Sequence, residues 1–124
     1  GVSLVRKGKT GAEEIVAIMK SFRENPPKQL AGSDVVTVKD YADLNLKDLK
    51  TGTVTKMDMP TTSNVLQFFT ADGTKVSVRP SGTEPKIKFY VEVKGLMKTN
   101  ADYAKANSEA DAKIEAIKKD LGID

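Results

Sequence analysis

Apolar positions along the chain keep two different periods. Ile15, Ile18, Met19 and Phe22 recur at helical spacing and predict one apolar stripe on a helix over about residues 11–24. Thr10-Gly11-Ala12-Glu13 has the spacing of a capping box at its start. Asn25-Pro26-Pro27 stops it, because proline has no N–H and restricts the residue before it. Val35-Val36-Thr37-Val38-Lys39 is β-branched and predicts a strand, and a second strand is expected over residues 64–70. Asp72-Gly73 marks a tight, two-residue hairpin turn. Beyond it the period is two. Val76 and Val78 oppose Lys75, Ser77 and Arg79, and Ile87, Phe89, Val91 and Val93 oppose Lys86, Lys88, Tyr90, Glu92 and Lys94. One sheet face therefore packs a core and the other is polar and wet.

Residues 41–63 show no clean period. Leu44, Leu46 and Leu49 stand among polar residues, and Gly52 and Pro60 break any long element, so a mixed connection with one short strand near residues 53–57 is expected. A long helix over about 101–121 carries the stripe Tyr103, Ala106, Ala110, Ile114, Ile117 and Leu121. Thr99 or Asn100 suits its N-cap, and Gly122 the left-handed position after its end. Glu109 with Lys113 and Glu115 with Lys119 are favourable i,i+4 pairs. The order predicts an α+β domain: an antiparallel sheet of about four strands with two helices packed on one face.

Composition narrows the chemistry. The 124 residues suffice for one domain, and a net charge of +3 is mild for a dedicated nucleic-acid binder. With neither Cys nor His, the chain cannot supply disulfides, thiolate metal sites, a Cys nucleophile or a His acid–base pair. Its carboxylates lack metal-binding or acid–base spacing, so neither a catalytic nor a metal-ligating residue is expected. No apolar run approaches the roughly 20 residues that span a bilayer. A cytoplasmic protein with no membrane partner is expected. The abrupt opening at Val2-Ser3-Leu4-Val5 predicts a piece of something longer, with residues 1–9 as a hinge or linker and 10–124 as the domain.

One loop stands out. Arg79-Pro80-Ser81-Gly82-Thr83-Glu84-Pro85-Lys86 sets a guanidinium, two hydroxyls and a glycine between two strands. Those groups suit an oxyanion: Arg offers a planar fork, Ser and Thr offer hydroxyls, and Gly admits close backbone N–H groups. The plain alternative is a solvated turn in which Arg79 pairs with Glu84. A third reading takes Lys75, Arg79, Lys86, Lys88 and Lys94 as a nucleic-acid platform with Tyr90 stacking on a base, but one aromatic on that face argues against it.

The run from Arg79 to Tyr90 resembles the phosphate-binding loop of the α-D-phosphohexomutases, in the phosphoglucomutase/phosphomannomutase branch. Gly8-Lys9-Thr10-Gly11, Phe22-Arg23-Glu24-Asn25-Pro26-Pro27, Ser63-Asn64-Val65-Leu66-Gln67-Phe68 and Asp72-Gly73 resemble the same family's final segment. The resemblance covers nearly the whole chain and is weakest over residues 41–60. It implies the fourth, C-terminal domain of a four-domain enzyme, similar in fold to the TATA-box-binding protein, that grips the phosphate which is not reacting. By position it implies phosphate contacts from Arg79, Ser81, Gly82 and Thr83, help from Lys88, and support from Glu84. The full-length enzyme it implies interconverts hexose 1- and 6-phosphates through a hexose bisphosphate, using Mg²⁺ and a phosphoserine held by the other three domains. No cofactor is expected in this chain, which alone is expected to be inactive. The implied partners are a sugar phosphate and those three domains. A basic α/β nucleic-acid-binding module is the alternative.

Overall fold

The structure, a computed structural model, describes residues 2–7, 12–81, 86–93 and 100–122, with side chains placed for 13–81, 86–93 and 111–122. Apolar alternation builds the centre of one antiparallel sheet. Strand β6 (Leu66–Thr70) pairs with β7 (Lys75–Pro80), which pairs with β8 (Lys86–Glu92). On β8's far side lies β1 (Val2–Lys7), and on β6's far side lies β3 (Ser33–Asp40), which also pairs with the two-residue β2 (Gln29–Leu30). A hairpin of β4 (Asn45–Asp48) and β5 (Val54–Lys56) extends the sheet beyond β3. The strand order is β1-β8-β7-β6-β3-β4-β5, with β2 off that path.

The class is α+β as expected, but the sheet is wider than about four strands. Three additions explain the difference. β5, exposed throughout, is the one short strand expected near residues 53–57, and it joins the sheet as an edge strand. β4 is bracketed by turns, one of which puts Leu44 at φ 61°, a left-handed backbone rare for a branched residue. β1 lies within residues 1–9, where a linker is expected; its register sets Val2, Leu4 and Arg6 opposite Val91, Phe89 and Ile87, all three of them buried.

Two helices close the core on one face. Helix α1 (Ala12–Glu24) buries Ile15 and Met19, and Phe22 sets its ring edge-on to Phe68 and Phe89 at 5.9 and 6.2 Å. Helix α2 (Asn100–Leu121) buries Ile117 and Leu121 against the same cluster and rests Ile114 on its rim. Tyr103, Ala106 and Ala110 lie outside the described side chains, as does the capping role of Thr10 outside the described residues. Gly122 takes φ 74°, the left-handed position expected after the helix.

On α2 Glu115 does not pair with Lys119 as expected, and Glu109, the expected partner of Lys113, lies outside the described side chains. Lys113 bonds Asp72 in the β6–β7 turn, and Glu115 pairs with Lys118 at 3.6 Å. That turn is a three-residue loop, 71–73, with Gly73 at φ 89°, rather than the two-residue turn the Asp-Gly pair suggests. Thr70 donates its hydroxyl to Asp72, and the Thr74 N–H also reaches that carboxylate. Burial pushes the Asp72 carboxyl up, yet the bonds from Lys113, Thr70 and Thr74 outweigh it and hold the group well below the usual carboxylate range.

Candidate anion-binding site

Strand alternation decides which side chains share the uncovered face. On β7 they are Lys75, Ser77 and Arg79; on β8 they are Lys86, Lys88, Tyr90 and Glu92. Val76, Val78, Ile87, Phe89 and Val91 face the core and are at most 1% exposed. The antiparallel register then pairs Arg79 directly with Lys88, and Ser77 with Tyr90.

Arg79 is exposed and Lys88 half-buried, and no carboxylate among the described residues pairs with either. Like charges directly opposite on a sheet repel, at a cost of about 0.2–1 kcal/mol. Their shared position therefore favours an anion between them. Just beyond them, the Ser81 N–H donates to the Lys86 carbonyl at 2.9 Å and closes the neck of the loop. The structure thus brings Arg79, Ser81 and Lys88 to one end of the β7–β8 hairpin. Gly82, Thr83 and Glu84 lie outside the described residues.

The other cations of this face are engaged. Lys75 pairs with Glu92 at 3.3 Å, and the Lys39 ammonium lies 4.9 Å from the centre of the Phe69 ring. Between them runs a hydrogen-bonded strip. Tyr41 donates its hydroxyl to Gln67 Oε1 at 2.8 Å, and Gln67 Nε2 donates to Ser77 Oγ at 3.1 Å. Local reading missed this strip because Tyr41, Gln67 and Ser77 are 26 and 10 residues apart and meet only through strand register.

The same end of the sheet is tied to α1. Arg23 donates through Nε to Asp40 at 3.1 Å and through Nη2 to Asn64 Oδ1, while the other Asp40 oxygen accepts the Ala42 N–H at 3.0 Å. Asp40 registers opposite Leu66, and Leu66 opposite Val78, so this tie braces the strands that carry Arg79. Asp40 is thus a structural partner of Arg23. Arg23 is a second guanidinium near the loop end, but its charge is already met.

A cleft of about 540 Å³ lies between the end of α1 and β3. Glu24, Lys28, Asp34 and Lys50 line it with both signs of charge, and none of the candidate anion-binding residues borders it. Among the described residues no group of three or more Asp or Glu could hold a metal ion. No helix among them is long and apolar enough to cross a membrane.

Comparison with known proteins gives a consistent answer. The family described as "Phosphoglucomutase/phosphomannomutase, C-terminal domain" matches residues 5–110. A phosphoglucomutase of Staphylococcus aureus (strain MRSA252) is 40% identical over 88 residues, 71% of this chain and 16% of the relative. A phosphoglucomutase of Staphylococcus saprophyticus is 39% identical over 84 residues, 68% of this chain and 15% of the relative. The chain aligns with only about one sixth of the length of these relatives.

Proposed function

The chain belongs to the phosphoglucomutase/phosphomannomutase C-terminal domain family, and from that premise we propose that it is the phosphate-gripping domain of a hexose-phosphate mutase. The observation that carries the reading is the Arg79–Lys88 pair, two cations in register without a carboxylate partner among the described residues, at the neck of the β7–β8 loop. Arg79 supplies a bidentate fork, Lys88 a point charge, and Ser81 a hydroxyl. Gly82 and Thr83 add backbone N–H groups and a second hydroxyl, with Glu84 in support. These three assignments rest on the family resemblance.

Gripping the phosphate that does not react converts remote binding energy into orientation of the oxygen that does. In the full-length protein the reaction interconverts hexose 1- and 6-phosphates through a bisphosphate that turns around between half-reactions. A grip that reads phosphate, and no single sugar face, accepts both orientations. Closure of the domain over the substrate excludes water, and reopening lets the intermediate turn. Mg²⁺ and a phosphoserine, when present, belong to other domains and supply the phosphoryl transfer. The expected setting is the cytoplasm, with a sugar phosphate and the remaining domains as partners.

Two measurements test this. Arg79→Ala should weaken glucose 1-phosphate binding by about tenfold or more, the scale of a lost hydrogen bond between charged groups. Equal affinity in the variant would remove the loop's assigned role. The chain alone should show no mutase turnover, and product formation by the purified chain would contradict the assignment of chemistry to other domains. Among the described residues the face gives nucleic-acid binding little support, because Lys75 and Lys39 are engaged with Glu92 and Phe69.

A further inference from the structure

Beside the cation pair lies a row with different chemistry. Tyr90 is 39% exposed although β8 is an interior strand, lying between β1 and β7. Its registered neighbours are small on both sides: Ser77 on β7 and Ser3 on β1. A large ring thus stands between two serine positions, on the face that the helices leave open.

Ser77 is also polarised by its neighbours. Because Gln67 Nε2 donates to Ser77 Oγ, and Tyr41 holds the Gln67 carbonyl in place, the serine oxygen is the acceptor in that bond. Its own O–H is left to donate, and no acceptor for it is found among the described residues. An aromatic face and an oriented hydroxyl donor therefore sit together, one row from Arg79 and Lys88.

The rows are two residues apart on each strand, or about 6.6 Å. The ring of a hexose phosphate lies one short ester linkage from its phosphorus, a comparable step. With phosphate between Arg79 and Lys88, the ring reaches Tyr90 and a ring hydroxyl reaches Ser77. The C–H face of a pyranose is apolar and suits an aromatic surface that is otherwise wet.

We propose that Tyr90 and Ser77 form a shelf for the sugar ring of the phosphosugar held at Arg79 and Lys88. The proposal rests on the phosphate-gripping reading above and adds a sugar-reading element to this domain. Tyr90 supplies stacking, which tolerates either ring face. Ser77 supplies one donor, kept in direction by the Tyr41–Gln67 strip. The shelf favours hexose phosphates over simple phosphate esters without fixing which end of the hexose is gripped.

The test is a titration of the 124-residue chain, followed by backbone amide shifts, with inorganic phosphate, ethyl phosphate and glucose 1-phosphate in parallel. The expected result is a threefold to tenfold advantage of glucose 1-phosphate over ethyl phosphate, corresponding to about 0.6–1.4 kcal/mol. Tyr90→Ala should bring that ratio close to one, whereas Tyr90→Phe, which keeps the ring, should retain it. Tyr90 is exposed, so neither variant removes a core contact. Equal binding of the two esters by the unaltered chain overturns the shelf alone, as does an advantage that survives Tyr90→Ala. Failure of all three ligands to shift Arg79, Ser81 and Lys88 overturns the phosphate grip itself, and the shelf with it.

Discussion

Lys88, a proposed phosphate-binding residue, works against its own fold. Directly opposite Arg79 it repels the guanidinium, and its ammonium has no carboxylate partner among the described residues. Lys88→Gln keeps most of the stem and removes the charge. It should stabilise the chain by a few tenths of a kcal/mol, about 0.2–0.5, while weakening phosphate binding. Denaturant unfolding with a parallel phosphate titration checks both signs, and a variant that loses stability would show that the lysine stem outweighs the repulsion. The faces of Arg79 and Lys88 were legible in the sequence, since alternation of Val76 and Val78, and of Ile87 and Phe89, leaves no other side for them. Their pairing was not, because it depends on the register across the loop. Arg23 was illegible in a different way: its partners Asp40 and Asn64 lie 17 and 41 residues away, and no spacing announces them.

Elements with a clean period emerged where the sequence placed them, and the ones without a period needed partners to exist. β6, β7 and β8 are built from alternating side chains, and α1 from a 3.6-residue stripe. The β2–β3 hairpin is different. Its turn puts Ala31 at φ 51° and Gly32 at φ 77°, and Ala31 is a poor residue for that conformation. Asp120 of α2 accepts the Ala31 N–H at 2.7 Å and supports the turn from a distance of 89 residues. Lys113 does the same for the 71–73 turn through Asp72. Asp72 has a depressed folded pKa, so its contribution is present above its unfolded value, near 4, and is lost as pH falls. The melting temperature should therefore drop below about pH 4, and Asp72→Asn should flatten that part of the profile. Identical profiles for the two proteins would assign acid sensitivity to other carboxylates.

At the scale of the whole molecule, two helices cover one sheet face and, among the described residues, no helix covers the other. The core packs behind Arg79, Ser77, Lys88 and Tyr90, so these side chains rise from strands whose reverse side is close to fully buried. Arg23 braces the loop end of the sheet and Lys113 the far turn, and the β7–β8 register sets Arg79 opposite Lys88. On the proposed reading, this site on a chain with neither His nor Cys holds one end of a substrate whose reacting end is served elsewhere. That division of labour is most directly tested by mapping phosphate onto the folded chain. In a titration of isotope-labelled protein with inorganic phosphate, the largest amide shifts should fall at Arg79, Ser81 and Lys88, with the 71–73 turn and the β4–β5 hairpin unmoved. Shifts spread evenly over the sheet, or centred on the Glu24–Lys28–Lys50 cleft, would contradict the account.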